Sequence, residues 1–422
     1  MLTSQEIEFI VGNATSDTSK LLLGAGKYPH INVKLCVNCI ESRQKLISKL
    51  PQWYANTELV YPFPLSAEQC SSEATGSYKK EVLERHLNQV PHDLKPQNII
   101  GADLTGGMGV DSWFLSQICH THHYFERNAP LCEATEYNFN KLGAKNISVH
   151  NMEIDKGNIS KLPGSPYSFI FIDPARRSKE NKSTKVISLQ DYEPNIVELK
   201  EELFKQAPTI LAKVSPMADI KLNLKLLPET TEIHIVSVDN ECKELLFMLE
   251  RNKLGCAPSE ENISGTPINA VNIKSHSGAE CFSFTFGDEE SARVEYACEV
   301  GGYLYEPNKS ILKAGAFKSV AERYNLKKLA QSTHLYTADN LVEGFPGKIF
   351  KVYDTVEFNK KSIKKLANEY PQADITARNF PLDTNALKKM SGIKDGGNRH
   401  LFAVTLSNGK KVVIVSGALQ DH

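Results

Sequence analysis

The stretch that decides the fold of this 422-residue chain is Gly101-Ala102-Asp103-Leu104-Thr105-Gly106-Gly107-Met108-Gly109-Val110-Asp111. It follows an apolar run, Asn98–Leu104, that predicts a strand, and it precedes a segment, Asp111–Cys119, that predicts a helix. Glycines allow a tight turn here and let a ligand approach the backbone without a Cβ in the way. The sequence therefore predicts a ligand site at the carboxyl end of a strand.

Short apolar runs alternate with helix-length segments around and beyond this stretch. The predicted strands are Asn98–Leu104, His122–Phe125, Ile147–Val149, Ser168–Ile172, Thr209–Val214 and Glu232–Val238. The predicted helices between them include Asp111–Cys119, Pro130–Leu142 and Ile196–Lys205. This alternation predicts an α/β fold with a doubly wound, mostly parallel sheet and helices on both faces.

The two ends of the chain have different patterns. Prolines interrupt the helical pattern of residues 1–95, and the end of the chain predicts a β-α-β-α-β-β order in which Asn408-Gly409 indicates a type I′ hairpin. We therefore predict four parts: a helical N-terminal region (1–95), a ligand-binding α/β domain (96–287), a small α/β connecting region (288–347) and a small α+β domain (348–422).

Composition excludes several classes of protein. With 41% hydrophobic and 23% charged residues, the chain is neither disordered nor collagen-like. It has no apolar run of the ~18–20 residues that a membrane helix needs and no secretory leader at its start, which predicts a cytoplasmic protein without a membrane partner. Nine cysteines, an odd number, indicate reduced thiols. Cys36 and Cys39 lack a second pair of ligands, so no metal site is predicted.

Charge is distributed unevenly although the formal net charge is only −1. Residues 301–422 contain 19 Lys and Arg against 11 Asp and Glu, whereas residues 1–300 contain 30 against 39. Such asymmetry indicates a module that binds a polyanion, and a solvated, lysine-rich helix surface is the alternative explanation.

Glu126 ends the second predicted strand, 23 residues after Asp103. In doubly wound nucleotide sites a carboxylate at about this distance accepts hydrogen bonds from ribose hydroxyls. A nicotinamide dinucleotide also needs a third glycine, where this chain has Ser112, and its pyrophosphate would meet Asp111 at the start of the helix. A cofactor with a sugar and an ammonium but no phosphate fits Asp103 and Asp111 better.

The fourth predicted strand ends in Asp173-Pro174-Ala175-Arg176-Arg177. Proline after the acid fixes φ and stiffens the loop, and Asp173 could accept a hydrogen bond from an attacking group and so orient it. Arg176 and Arg177 are suited to a phosphate next to the target. A simple turn is the alternative for an isolated Asp-Pro pair.

Together these motifs resemble the class I S-adenosylmethionine-dependent methyltransferases over residues 65–285. Their first motif runs acid-x-Gly-x-Gly-x-Gly, which this chain matches with Thr105 in place of one glycine. The resemblance implies that Glu126 binds the ribose and that Glu153, after the third strand, binds the adenine amine. The cofactor-binding residues that it implies are Asp103, Thr105, Gly107, Gly109, Asp111, Glu126, Arg127, Glu153 and Asp173. The catalytic and substrate-binding residues that it implies are Asp173, Pro174, Arg176 and Arg177, with no metal required.

The chain is similar above all to a group of methyltransferases with a helical N-terminal region and a C-terminal domain similar to the THUMP domain of RNA-modifying enzymes. Further segments that carry this similarity are Leu50–Trp53, Glu68–Thr75, Tyr78-Lys79 and Asp374–Pro381. In the wider superfamily the segment before the first motif often covers the methionine end of the cofactor. Ser72, Glu73 and Thr75 are therefore candidates, with a helix N-cap as the alternative.

We therefore expect an S-adenosylmethionine-dependent methyltransferase that acts on a base in RNA (tRNA or rRNA). Asp173 would orient the nucleophile, and the basic domain of residues 348–422 would capture the RNA. An NAD-dependent oxidoreductase and a non-catalytic RNA-binding protein with a relic cofactor fold stay open as alternatives, as do protein or small-molecule substrates. The sequence does not determine the oligomeric state.

Overall fold

The computed structural model describes residues 1–89, 98–176, 189–255, 257–275 and 278–419, without the side chain of Arg176. The chain divides into two compact units. The first consists of residues 1–233 and 244–263, and the second of residues 234–243 and 264–422. The four-part division expected from the sequence stays a prediction. No helix in the described ranges has the length and apolar character needed to cross a bilayer.

The predicted helical N-terminal region is present, because the regular secondary structure of residues 1–89 is entirely helical. The α-helices are α1 (Ser4–Gly12), α2 (Thr18–Leu23), α3 (Val33–Leu46), α4 (Pro51–Ala55), α5 (Pro64–Gln69) and α6 (Glu73–Gln89). Proline occupies the first position of both α4 and α5, where its missing N–H has no helical partner to lose. Trp53 and Tyr61 lie in the core of this region and are almost fully buried.

Strands and helices alternate in the rest of the first unit. They are β1 (Ile100–Asp103), α7 (Val110–Ser116), β2 (Thr121–Glu126), α8 (Ala129–Lys141), β3 (Ile147–Asn151), β4 (Phe169–Ile172), β5 (Ala175–Arg176), β6 (Tyr192–Glu193), α9 (Ile196–Gln206), β7 (Thr209–Val214), α10 (Ile220–Leu226), β8 (Thr230–Val238), β9 (Glu241–Glu250) and α11 (Glu260–Gly265). The hairpin of β8 and β9 passes from the first unit into the second.

The sheet of the first unit has the strand order β3-β2-β1-β4-β7-β9. The first five strands are parallel, and β9 is antiparallel to β7. The predicted α/β class with a mostly parallel sheet is therefore confirmed. Strand β9 was not predicted, because its continuous apolar run Leu245–Leu249 is completely buried and so lacks the alternation of a half-exposed strand.

The second unit is an α+β structure. Its elements are β10 (Ile268–Lys274), β11 (Gly278–Phe284), α12 (Phe286–Ser291), β12 (Tyr303–Pro307), α13 (Lys309–Ala314), α14 (Ser319–Arg323), β13 (Lys327–Ala330), β14 (Thr333–Ala338), β15 (Gly347–Glu357), α15 (Lys360–Glu369), β16 (Asp374–Arg378), α16 (Thr384–Ser391), β17 (His400–Thr405) and β18 (Lys411–Ala418). A seven-stranded sheet has the order β13-β14-β12-β15-β18-β17-β16.

The hairpin predicted at Asn408-Gly409 joins β17 and β18, but its turn is not type I′. Only Gly409 has a positive φ, of 82°, whereas a type I′ turn needs two residues in that region. The Gly409 N–H donates to the Leu406 carbonyl at 3.0 Å, and Leu406 N–H donates to the Lys410 carbonyl at 2.9 Å. These bonds close a three-residue loop in which glycine occupies the left-handed position.

Candidate active site

The glycine loop, residues 104–109, joins β1 to α7 and is held from below by β2. Tyr124 donates its hydroxyl to the Gly107 carbonyl at 2.6 Å, and the Gly107 N–H donates to Glu126 Oε2 at 3.0 Å. Gly107 and Gly109 have φ values of 53° and 84°, which glycine adopts most readily. A Cβ on Gly109 would lie 2.5 Å from Thr135 Cγ2, so glycine is also required there for packing against α8.

Asp103 supports the glycine loop rather than lining the cleft above it. Its side chain accepts hydrogen bonds from the Ser112 hydroxyl at 2.7 Å and from the Thr105 N–H at 3.0 Å. Burial raises the pKa of Asp103 to about 7, with Asp111 and Asp173 adding to the increase. Asp103, which the sequence predicted to bind the cofactor, therefore accepts hydrogen bonds from two residues of its own chain.

Glu126 lies at the edge of the cleft with its carboxylate fixed from both sides. Besides the bond from Gly107, its Oε1 accepts the Asn128 N–H at 2.7 Å. A carboxylate offers about four lone-pair positions, so each oxygen can accept one more donor. Arg127 pairs with Glu153 at 3.3 Å, with both side chains more than 60% exposed, and both residues line the same cleft.

Asp173 follows β4 and forms an ion pair with Lys213 at the end of β7. Lys213 Nζ lies 2.5 Å from Asp173 Oδ2, and the Asp173 N–H donates to Thr105 Oγ1 at 2.7 Å. Thr105, which departs from the usual glycine of the motif, therefore links the glycine loop to Asp173. Pro174 is buried and does not line the cleft.

The two arginines predicted to bind substrate have side chains outside the described structure. Arg176 lies in the short strand β5, but its side chain falls outside the described structure. Arg177 lies outside the described residues altogether. Their roles stay predictions.

A buried lysine joins α6 to the sheet beneath the cleft. Lys79 is completely buried, and its Nζ lies 2.7 Å from Glu244 Oε1 on β9 and 3.1 Å from Asp111 Oδ1 on α7. The Ser71 hydroxyl donates to Asp111 Oδ2 at 2.8 Å. Asp111 is therefore paired with the ammonium of Lys79. This pairing also weakens the repulsion between Asp111 and a pyrophosphate that the sequence predicted.

The charged side chains around Lys79 shift one another's pKa values. Burial opposes ionisation of Asp111, but Lys79 and Lys213 outweigh it and hold the pKa of that carboxyl below its usual value. Burial raises the pKa of Glu244. Burial also disfavours the charged form of Lys213, yet Asp173 and Asp111 raise its pKa above the ordinary value. We call Lys79, Asp111, Asp173, Lys213 and Glu244 the charge cluster.

The cleft itself has a volume of about 570 Å³, within the usual range for small-molecule sites. Its ionisable lining side chains, apart from Cys70, are Asp111, Glu126, Arg127, Glu153, Asp155, Lys156, Asp173, Glu193, Glu198 and Lys213. Seven of these ten are acidic, so the cleft favours a cationic ligand. The predicted residues Thr105, Gly107 and Gly109 also line it.

The N-terminal region contributes to the cleft through residues that directly precede the candidates named from the sequence. Its lining residues are Ser66, Gln69, Cys70 and Ser71. Ser72 and Thr75 instead hydrogen-bond each other at the start of α6, as the N-cap alternative predicted, and Glu73 accepts the Gln52 N–H at 2.6 Å.

The sequence analysis missed three members of the charge cluster, Lys79, Lys213 and Glu244, as site residues. Lys213 and Glu244 are charged residues in or beside an apolar stretch of a strand, which is a detectable signal of a buried ion pair, whereas Lys79 lies in a polar stretch of α6 and gives no such signal. The three residues are far apart in sequence, so the contact between α6, β7 and β9 could not be predicted. Within the described ranges, no group of three or more His, Cys, Asp and Glu side chains is arranged to hold a metal.

Comparison with known proteins gives matches over part and over all of the chain. A family described as a ferredoxin-like domain matches residues 303–346, and one described as THUMP domain-like matches residues 347–418. The crystal structure of a proposed methyltransferase from Porphyromonas gingivalis W83 matches with 32% sequence identity and a TM-score of 0.84, covering 100% of both chains. No curated protein sequence matches the chain.

Two more distant crystal structures match a part of the chain. One is an rRNA methylase from Streptococcus thermophilus, with 14% identity, a TM-score of 0.29, and coverage of 40% of this chain and 94% of the other. The second is a proposed methyltransferase from Streptococcus mutans in complex with S-adenosylhomocysteine, with 18% identity, a TM-score of 0.28, and coverage of 40% and 96%.

Proposed function

This chain belongs to the family of the proposed methyltransferase from Porphyromonas gingivalis W83, and on that premise we propose that it is an S-adenosylmethionine-dependent methyltransferase of RNA. The observation that carries the proposal is the acidic cleft, where the glycine loop, Glu126 and Asp173 come together at the carboxyl ends of β1, β2 and β4. Ligands of open α/β sheets bind at this edge.

The cleft fits this cofactor in shape and in charge. A Cβ on Gly107 would find no atom closer than 3.8 Å, so open space lies where the backbone would approach the ligand. The free lone pairs of Glu126 are suited to ribose hydroxyls, and Glu153 to an amine. S-adenosylmethionine would supply a methyl group on a positively charged sulfur, and the excess of carboxylates favours such a cation.

The same charge distribution argues against a dinucleotide. A pyrophosphate carries negative charge into a lining of seven acidic and three basic side chains. All three basic residues are already paired with acids of the lining, namely Arg127 with Glu153, Lys156 with Glu198 and Lys213 with Asp173. An oxidoreductase that uses NAD is therefore the weaker candidate.

RNA as the substrate is supported by the second unit. Residues 347–418 match the THUMP-like family, and α15 buries Ile363 and Leu366 while its other face is basic. The exposed lysines of that face are Lys360, Lys361, Lys364 and Lys365. Such a row can neutralise phosphates along an RNA strand.

In the proposed reaction the chain's own residues position the acceptor. Asp173, fixed by Thr105 and Lys213, would accept a hydrogen bond from the acceptor group and hold it in line with the methyl carbon. Most of the acceleration would then come from positioning. The base expected from the sequence as acceptor stays a prediction, and the charge cluster favours a different acceptor.

Calorimetric titration tests the cofactor part of the proposal. S-adenosylhomocysteine should bind with one site per chain, and NAD should not bind. Glu126→Ala removes hydrogen bonds to a charged group and should lose about 1.5–3 kcal/mol, or roughly 10- to 150-fold in affinity. Glu58→Ala, which removes an exposed acid paired with Lys141, is the control and should bind normally. NAD binding without S-adenosylhomocysteine binding would overturn the proposal.

The salt dependence of RNA binding tests the role of the basic helix. Log affinity should fall linearly with log salt, and replacing Lys360, Lys361, Lys364 and Lys365 by Gln should reduce the slope by about 0.7–0.9 for each phosphate that these lysines neutralise. The control replaces four exposed lysines of the first unit, Lys20, Lys27, Lys34 and Lys145. Equal slopes for the two variants would remove α15 from the proposed RNA interface.

A further inference from the structure

The charge cluster places a cation directly beside the residue expected to orient the acceptor. Lys213 is 14% exposed at its side chain, lines the cleft, and lies 2.5 Å from Asp173, which is 36% exposed. We propose that the acceptor is a hydroxyl group, the ribose 2′-hydroxyl of RNA, and that Lys213 is a catalytic residue that stabilises its oxygen. This inference rests on the function proposed above.

Lys213 has the donors for this role. An ammonium carries three N–H groups, and among the described residues Lys213 makes one hydrogen bond, to Asp173. Lys213 is the next-to-last residue of β7, and its ammonium lies at the same carboxyl edge of the sheet as the glycine loop and Asp173. A second N–H can therefore be donated to an atom in the cleft.

The sign of this charge distinguishes oxygen from nitrogen acceptors. An amine that attacks a methyl carbon becomes positively charged before it loses a proton, and an adjacent ammonium opposes that charge. A hydroxyl oxygen gains negative character as its proton leaves, and the same ammonium stabilises it. A carboxylate without a lysine partner would stabilise the positive charge on an attacking base amine better.

The rest of the cluster explains why Lys213 stays protonated in a partly buried position. Asp173, Asp111 and Glu244 all favour its charged form. Lys79 in turn neutralises Asp111 and Glu244, with Nζ to oxygen distances of 3.1 and 2.7 Å. The five side chains come from α6, α7, β7, β9 and the loop after β4, so the arrangement is fixed by the packing of the whole unit.

The step balances with the proposed cofactor as the methyl donor. The bond between the 2′-oxygen and its hydrogen breaks, and Asp173 accepts the proton. The oxygen forms a bond to the methyl carbon as the bond from that carbon to sulfur breaks. The electron pair of the broken bond stays on sulfur, which leaves neutral S-adenosylhomocysteine. Lys213 keeps its proton and stabilises the oxygen throughout.

Nucleoside analysis of the methylated RNA tests the inference. RNA from a strain that lacks the gene is incubated with the full chain and methyl-labelled S-adenosylmethionine and then digested. Label in 2′-O-methylnucleosides, and in dinucleotides that resist alkali, is the expected result. Label in a base-methylated nucleoside would overturn the inference while leaving the proposed function intact. No label in RNA despite S-adenosylhomocysteine binding would reject the proposed RNA function, and the inference with it.

The residue assignment is tested with Lys213→Met, which keeps the length of the side chain and removes its charge. Single-turnover transfer should fall about 10²- to 10³-fold, as for the loss of one donor to a developing oxyanion, while S-adenosylhomocysteine affinity changes by less than about threefold. Lys200→Met is the matched control, because Lys200 forms a 2.8 Å ion pair with the buried Glu229 away from the cleft. A near-native rate for Lys213→Met would remove Lys213 from catalysis.

A chemical substitution in the RNA makes the test independent of protein stability. Once the methylated nucleotide is mapped, an RNA with 2′-deoxyribose at that position should bind with native affinity and accept no methyl group. Transfer to the deoxy substrate at an undiminished rate would contradict a hydroxyl acceptor, whatever the behaviour of the lysine variant.

Discussion

Substitution of Lys79 by Met should destabilise the protein far more than the loss of an ordinary lysine. Lys79 is completely buried, and its ammonium lies 2.7 Å from Glu244 and 3.1 Å from Asp111. Methionine fills a similar volume but leaves two carboxylates, themselves about 2% and 9% exposed, without their cation. Removing one partner of a buried ion pair typically costs about 3–5 kcal/mol, because an uncompensated charge stays in the interior.

Thermal unfolding followed by circular dichroism measures this loss. In a unit of this size each kcal/mol lowers the midpoint by about 2–4 °C, so Lys79→Met should unfold roughly 6–20 °C below the native protein. Adding Glu244→Gln to the variant removes one of the stranded charges and should recover a substantial part of the loss.

A surface ion pair provides the matched control. Lys45 pairs with Glu68 at 2.6 Å, but its side chain is 38% exposed and that of Glu68 is 64% exposed. Lys45→Met should therefore cost less than about 1 kcal/mol. If Lys79→Met shifted the midpoint no more than Lys45→Met does, the charge cluster would not hold α6 against the sheet.

Three further predictions concern the residues around the cleft. Burial raises the pKa of Asp103 to about 7, so its ionisation destabilises the folded state. Asp103→Asn should therefore gain stability relative to the native protein as pH rises from 4 to 7, by about 1.4 kcal/mol per pH unit. Unfolding midpoints of the two proteins that differ by the same amount at every pH would refute this prediction. Gly109→Ala, with its Cβ 2.5 Å from a side chain, should lower the unfolding midpoint more than Gly107→Ala, which should mainly weaken S-adenosylhomocysteine binding in calorimetry. Thr105→Val leaves the Asp173 N–H without its acceptor and should lower turnover at unchanged cofactor affinity, whereas Thr105→Ser should retain the native rate.

The parts of the fold that were predictable from sequence are those with a local signal. The alternation of apolar runs and helical segments identified β1, β2, β3, β4 and β7, and with them the edge of the sheet where the cleft lies. By contrast, β9 is apolar on both faces, so neither its presence nor its antiparallel direction could be read from periodicity. The Asn408-Gly409 hairpin was predictable, but the turn type depends on a third residue in the loop.

Some residues of the candidate site were likewise predictable from the sequence, and others were not. The motif residues Gly107, Glu126 and Asp173 line one cleft because parallel strands end at a common edge. The partners of Asp173 and Asp111 could not be inferred, because Lys213 lies 40 residues from Asp173 and Lys79 lies 32 residues from Asp111, and each pair meets only through tertiary packing. Asp103 has the spacing of a ligand contact, yet Ser112 and the backbone of Thr105 occupy its oxygens.

Transfer of a labelled methyl group from S-adenosylmethionine to RNA, compared for the native chain and Asp173→Asn, shows whether this cleft is a site of RNA methylation. The RNA comes from a strain that lacks the gene, so that its acceptor sites are free. The native chain should label the RNA in a single turnover, and the variant should do so about 10²- to 10⁴-fold more slowly while binding S-adenosylhomocysteine as before. Equal labelling by both proteins, or none by either, would contradict the assignment of this cleft as the site of RNA methylation.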